Sequence, residues 1–305
     1  MTALLQVRDL NVALNSLPVL SGVNFDLKGG SITGLFGESG CGKTTLAQAL
    51  LKLLPRGQYR VEGAVEFEGR NLLELSEREL QPIRGGRISL MFQDPLLSLN
   101  PVLRAGTQIA EVARAHRVSR PELPASLGLL PRHPNAYPHQ LSGGERQRIT
   151  LAQALVCRPA LVIADEPFTA LDPSRVAELS TLFGELRALG TSFLLIAHDP
   201  AVLEALADSV LVMYAGRIVE RGQPLAVFRD PQHPYTCGLM QCLRPRGADG
   251  RLYSIPGNPP GLAACPGGCA FEPRCAERMA VCAARMPGEF PLAADRSVRC
   301  FRYEC

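Results

Sequence analysis

The 305-residue chain has no tryptophan and only three lysines, Lys28, Lys43 and Lys52. Its other basic residues are arginines, so a lysine at a particular place needs a reason of its own. No stretch approaches the ~18 consecutive apolar residues that a membrane-spanning helix needs, which excludes a helical membrane protein. The segment Met1-Thr-Ala-Leu-Leu-Gln-Val-Arg8 lacks a basic region followed by a long apolar one. No export signal is therefore expected, and the chain is expected to stay in the cytosol. An excess of one charge is also missing. Thirty-two basic residues face 29 acidic ones, and a net charge of +3 gives no global attraction to nucleic acid.

What is present suits a globular protein. Apolar residues make up 46% and charged residues 20%, enough for a sizeable core and unlike a disordered chain. The length allows one large domain or two ordinary ones. There are ten cysteines, which in a reducing compartment are expected as thiols or metal ligands rather than disulfides. Six of them fall after residue 260, which points to a separate C-terminal unit.

Short apolar runs alternate with helical stretches. Val23–Leu27, Ser31–Phe36 and Arg87–Phe92 read as strands, with a helix from Leu46 to Leu54 ended by Pro55. A helix over Ala105–His116 precedes a stretch broken by Pro121, Pro124, Pro131, Pro134 and Pro138, which reads as a small helical insert with loose connections. A further helix is expected over Gly143–Cys157. Three apolar runs, Ala160–Ala164, Phe193–Ala197 and Ser209–Met213, are separated by helical stretches at Pro173–Leu189 and Pro200–Ala207. Strands alternating with helices predict an α/β fold around a parallel sheet. Past about residue 230 the periodicity fades, and a boundary is expected near 230–250.

One motif carries chemistry outright. Gly37-x-x-x-x-Gly42-Lys43-Thr44 follows a predicted strand and opens a predicted helix, as a phosphate-binding P-loop requires. Gly37, Gly40 and Gly42 let the backbone curl so that N–H groups, including those of Glu38, Ser39, Cys41 and Thr45, point at phosphate oxygens. The helix N-terminus adds partial positive charge. Lys43 is a compact cation on a long stem, and Thr44 offers a hydroxyl to Mg²⁺. The competing reading is an ordinary glycine-rich turn. Asp165 and Glu166 end an apolar strand and would face this site from the carboxyl edge of a parallel sheet. Asp165 suits Mg²⁺, and Glu166 suits polarising an attacking water.

Leu141-Ser-Gly-Gly-Glu-Arg-Gln147 resembles the signature motif of ABC-transporter ATPases, and other motifs follow in that family's order. Gln93 in Met91-Phe-Gln-Asp-Pro95 looks like the Q-loop, Asp172 in Ala170-Leu-Asp172 like the D-loop, and His198 like the switch histidine. The resemblance implies the P-loop ABC ATPase fold: a RecA-like parallel sheet, an antiparallel β subdomain and a helical insert at about 94–150. It implies that ATP lies between the P-loop of one subunit and the signature residues Leu141, Ser142, Gly143, Gly144 and Glu145 of another. Glu166, His198 and Gln93 would be catalytic, with Thr44, Gln93 and Asp165 at Mg²⁺. Leu14 stands where the family usually stacks adenine on an aromatic ring, so the π contact is lost there.

Val212-Met-Tyr-Ala-Gly216, His233-Pro-Tyr235, Ile255-Pro-Gly-Asn-Pro-Pro260 and Gly268-Cys-Ala-Phe-Glu-Pro-Arg-Cys275 resemble importers of dipeptides and oligopeptides, a group that includes nickel importers. The resemblance implies an ATPase domain at 1–235 and a Cys-rich extension at 236–305. The partners implied are a second ATPase subunit (a paralogue by family habit), two membrane permease subunits and a separate substrate-binding protein. The implied place is the cytoplasmic face of the membrane. Cys269, Cys275, Cys282 and Cys300 have the spacing C-x₅-C-x₆-C-x₁₇-C, which lacks the C-x₂-C pairs of zinc ribbons. Four thiolates could hold a [4Fe–4S] cluster, as in some of that family, or another metal, or stay as packed thiols. Nickel or metal-chelate import, and a soluble ABC ATPase unconnected to transport, are the rival functions.

Overall fold

The computed structural model describes residues 3–92, 94, 98–167, 173–243, 253–261 and 267–304. Along the chain these form β1 (Ala3–Leu14), β2 (Leu17–Lys28), β3 (Ile32–Phe36), α1 (Lys43–Leu50), β4 (Tyr59–Phe67), β5 (Arg70–Asn71), α2 (Glu77–Leu80) and β6 (Ile88–Met91). Next come α3 (Ala105–Ala115), α4 (Gly143–Leu155), β7 (Leu161–Asp165), α5 (Pro173–Ala188), β8 (Ser192–Ile196) and α6 (Pro200–Leu206). The chain continues through β9 (Ser209–Tyr214), β10 (Arg217–Gly222), α7 (Pro224–Arg229), α8 (Pro234–Cys242), α9 (Ala280–Ala284), β11 (Phe290–Ala293) and β12 (Arg296–Val298).

Two sheets result. The smaller is antiparallel, in the order β2-β1-β4-β5. The larger runs β11-β12-β10-β9-β3-β8-β7-β6. Its stretch from β9 to β6 is parallel, and β10, β12 and β11 continue it antiparallel. Every residue of β3, β7 and β8 is buried. Strands covered on both faces read as continuous apolar runs, which is why these three were legible in the sequence. One face packs with the helical insert and the C-terminal residues. The other packs with the antiparallel sheet and α1. Among the described residues no helix is long and apolar enough to cross a membrane.

Two expectations shift. The helix foreseen over 46–54 begins at Lys43 and stops at Leu50, well before Pro55. Lys52 turns into the left-handed region at φ 53°, and Arg84 donates to the carbonyls of Leu51 and Lys52. The left-handed turn at Lys52 closes the helix locally, with the Lys52 amide donating to the Ala49 carbonyl and the Leu53 amide to Gln48, so no proline is needed to stop it. Among the described residues the helical insert holds α3 and the start of α4, joined through 3₁₀ turns at Ala125–Leu127, His133–Asn135 and Pro138–Gln140. Frequent prolines remove the donors a second long helix would need there.

The C-terminal residues share the core rather than building their own. β12 pairs with β10, with Glu220 opposite Val298, and so extends the large sheet. Ile255, Ala270 and Phe271 are buried in the same apolar cluster as Ile32 and Phe36.

Candidate functional site

Because β3, β7 and β8 are parallel, their carboxyl ends lie along one edge of the sheet. That edge leads into Gly37, Glu166 and Ala197-His198 respectively. The loop after β3 is tightly built. A side chain at Gly37 would place its Cβ 2.3 Å from the Met213 carbonyl oxygen. One at Gly42, where φ is 109°, would come 2.8 Å from Leu20. Glycine is needed at both positions for close approach.

Gly42 is also the N-cap of α1. It supplies no side-chain cap, and the first turn holds no acidic residue. The first amides of α1 therefore keep their capacity for an anion. Lys43 is 7% exposed, and its ammonium folds back over the loop, donating to the carbonyls of Gly37 at 2.8 Å and Glu38 at 2.9 Å. The Thr44 hydroxyl donates to Asp165 Oδ2 at 2.8 Å. Two oxygens so placed suit a hard divalent cation. Burial raises the Asp165 pKa, and Thr44 and Lys43 oppose that rise. A buried carboxylate of this kind gains from a cation beside it.

Glu166 sits at φ 50°, and its amide donates to the Ile196 carbonyl at 2.9 Å. That bond ties the end of β7 to the end of β8. Glu166 Oε2 lies 3.5 Å from His198 Nδ1. Glu166 is mostly buried and His198 is open to solvent, as a base and a group that meets an incoming ligand would be. The edge thus gathers a glycine loop with its folded-back lysine, a Thr–Asp pair and a carboxylate–imidazole pair. Gln93 and Asp172 lie outside the described residues.

The signature residues are not part of this gathering. Leu141 is buried, whereas Ser142 and Gly143 are exposed at the start of α4. Ser142 caps that helix: its Oγ accepts from the Glu145 amide at 3.3 Å, and Glu145 Oε2 accepts from the Ser142 amide at 2.9 Å. The Ser142 amide, followed by His133, the Ser142 hydroxyl and Arg132, holds the Glu145 carboxyl down at about 2. Among the described residues no hydrogen bond joins this loop, Gly144 included, to the P-loop. Leu14 ends β1, half-buried, with Tyr59 opposite it on β4.

The four tail cysteines do converge. Cys269, Cys275, Cys282 and Cys300 line one small, mostly apolar pocket together with Phe271 and Phe301. Burial pushes the Cys269 thiol up to about 11, and the other three cysteines add to the rise. Thiols fit iron or zinc in kind. Among the described residues, however, no three Cys, His, Asp or Glu side chains are gathered closely enough to hold one metal ion. Cys265 and Cys305 lie outside the described residues.

Sequence reasoning missed two residues of the site. Tyr235 and Arg274, from the C-terminal part of the chain, both hold Glu38 of the P-loop. They stood inside tail motifs, but no spacing rule connects residues so far apart in sequence.

Comparisons with known proteins agree with this geometry. The family described as ABC transporter matches residues 20–169, and the family described as oligopeptide/dipeptide transporter, C-terminal region, matches residues 219–282. The probable peptide ABC transporter ATP-binding protein y4tR of Sinorhizobium fredii is 44% identical, covering 98% of this chain and 95% of that protein. The oligopeptide transport ATP-binding protein OppD of Escherichia coli is 42% identical over 98% of this chain and 93% of its own length. Among solved structures, cbiO1 of Clostridium perfringens, part of an ABC transporter complex, superposes with a TM-score of 0.64. It is 27% identical and covers 75% of this chain and 92% of its own. The dimeric ATP-binding cassette MJ0796 has the same fold, with a TM-score of 0.63 over 72% of this chain and 98% of its own. A P-loop facing a Thr–Asp pair and a Glu–His pair, on a chain similar to these relatives over nearly its whole length, has one consistent reading: the chain belongs to the ABC transporter family, among the ATP-binding subunits of the oligopeptide/dipeptide transporter group.

Proposed function

We propose that this chain is the ATP-hydrolysing subunit that energises import of peptides by a multi-subunit ABC importer. It would work at the cytoplasmic face of the membrane with a second ATPase subunit, two permease subunits and a separate substrate-binding protein. The observation that carries the hydrolytic part is the shared strand edge, where Thr44 meets Asp165 at 2.8 Å and Glu166 meets His198 at 3.5 Å. The tail match at residues 219–282 supports the peptide cargo.

The roles follow from chemistry. The amides from Glu38 to Thr45 and the Lys43 ammonium would bind the phosphates of ATP. Thr44, Asp165 and Gln93 would hold Mg²⁺, which when bound supplies charge neutralisation on the phosphate oxygens. Glu166 would accept a proton from the attacking water, and His198 would orient the terminal phosphate. Leu14 would cover one face of the adenine without a π contact. Ser142, Gly143 and Gly144, with Leu141 and Glu145 shaping their loop, would complete the site of a facing subunit, and Asp172 would lie at that interface. Two observations favour this action in trans. Ser142 and Gly143 are exposed, and no hydrogen bond ties their loop to the P-loop within the described part of one chain.

Glu166→Gln tests the hydrolytic reading. ATP binding should persist while turnover falls about 100-fold or more; unchanged turnover removes Glu166 from the role. Cargo is tested by uptake in cells lacking the chain. Loss of labelled di- or oligopeptide uptake supports the reading, and loss of nickel uptake alone overturns it.

We further propose that Cys269, Cys275, Cys282 and Cys300 ligate a [4Fe–4S] cluster. Their shared lining of one pocket supports it, and the thiolates would have to draw closer to ligate metal, since among the described residues no three ligands lie close enough for one ion. A loop-rich extension also gains stability when metal binding accompanies folding. Protein purified without oxygen should carry iron; zinc instead would indicate another metal, and neither would indicate packed thiols.

A further inference from the structure

One P-loop residue is held at three points. The Glu38 amide donates to Tyr235 Oη at 2.8 Å, and its carbonyl accepts from Lys43 at 2.9 Å. Its carboxylate accepts from both terminal nitrogens of Arg274, at 2.9 and 3.2 Å. Two of the three holders come from the C-terminal part of the chain.

Arg274 is itself a fixed group. Its side chain is only 4% exposed. Its Nε donates to the Pro256 carbonyl at 3.1 Å, and its guanidinium lies over the rings of Tyr214 and Phe271 at 5.8 and 5.9 Å. Those rings pack with Tyr235 in one aromatic cluster. The cluster backs the P-loop, because Glu38 bonds both to Tyr235 and to the arginine that lies over Tyr214 and Phe271. The planar fork of a guanidinium matches a carboxylate with two directed bonds, which fixes orientation as well as charge.

Two consequences follow for a loop that receives phosphates. A carboxylate beside a polyanion repels it, and Arg274 offsets that charge where water cannot screen it well. A loop whose amides must converge on phosphate also loses entropy when it orders on binding. Fixing Glu38 beforehand removes part of that cost.

We propose that Arg274, assisted by Tyr235, is a positioning residue for ATP. It acts through Glu38 without touching the nucleotide, so that the C-terminal extension sets the affinity of the P-loop. This rests on the assignment of the P-loop as the ATP site. The rival is an ordinary ion pair that only fastens the tail to the core. Such a pair would change the melting temperature and leave the affinity of the folded protein alone.

The test uses the full chain, with ATP affinity measured by calorimetry and melting recorded alongside. Arg274→Met should weaken ATP binding about tenfold, about 1.4 kcal/mol. Glu38→Gln should weaken it less, because it removes the anchor and the repelling charge together, and the double variant should be no weaker than Arg274→Met, because both changes break the same contact. Arg274→Lys, which keeps the charge but not the fork, should recover part of the loss. Tyr235→Phe should weaken binding by a smaller factor. If Arg274→Met does not fold, Arg274→Lys and Glu38→Gln carry the same comparison. Wild-type ATP affinity in these variants, or additive losses in the double variant, overturns the proposal. A wild-type chain that bound no ATP would instead overturn the assignment of the site itself.

Discussion

Two helices of this protein begin at glycine-containing loops, and they begin differently. α1 starts at Gly42, with no side-chain cap and no acid in its first turn. α4 starts at Ser142 with a complete capping box, and Glu145 places a carboxylate in the first turn. The first helix keeps its amide donors for an outside anion, and a lysine is folded beside them. The second has used two donors internally and answered its dipole with its own negative charge. Glycine content alone therefore does not distinguish the two entrances; how many first-turn amides are already bonded does. The capping box also fits the proposal that the exposed α4 loop keeps its shape to meet a facing subunit.

That contrast can be broken by experiment. The largest effect is expected at the uncapped entrance. Lys43→Met removes the cation folded over the loop carbonyls and should weaken ATP binding about 100-fold, about 2–3 kcal/mol. A chain that still binds ATP at wild-type affinity would mean that the amides of α1 suffice alone. At the capped entrance Ser142→Ala should leave ATP affinity of the single chain unchanged and lower its stability by about 1 kcal/mol. In the assembled transporter it should also lower turnover about tenfold, through loss of a donor worth about 1.5 kcal/mol. Loss of stability without loss of turnover would confine Ser142 to capping.

The smallest effect is a pH dependence. The Glu145 carboxyl titrates near 2 in the folded chain, against 4.5 for the ordinary side chain. A depressed carboxyl stabilises the fold fully above its unfolded pKa, and that stability is lost as pH falls through the folded value. The difference in melting temperature between wild type and Glu145→Gln should thus be constant above about 5 and shrink between about 4.5 and 2. A difference independent of pH would place the contribution in packing rather than charge.

Legibility followed distance along the chain. The P-loop was readable because its glycines, Lys43 and Thr44 are contiguous, and local geometry dictates what such a run can do. β3, β7 and β8 were readable because they are buried on both faces. β10 and β12 were not, since strands of six and three residues are too short to show a clear period of their own. The stop of α1 was assigned to Pro55, whereas the left-handed turn at Lys52 supplies it, with Arg84 of another element bonding the carbonyls just beyond.

The amino-acid order alone was enough for the α/β class, the phosphate loop and the acidic pair that ends β7, because each depends on neighbours within a turn or a strand. The tertiary structure decided the rest. It brought Thr44 to Asp165, set His198 beside Glu166 and laid Arg274 on Glu38. It also made the C-terminal residues part of the main core instead of an independent cap. The few lysines and many cysteines acquire a spatial meaning in the same way. Lys43 lies over the carbonyls of the phosphate loop, and four of the cysteines share a pocket lined also by Phe271, whose ring lies under Arg274. Such contacts join residues whose separation in sequence carries no signal. They form only when the parallel sheet brings its strand ends to one edge and burial leaves polar groups to pair with one another.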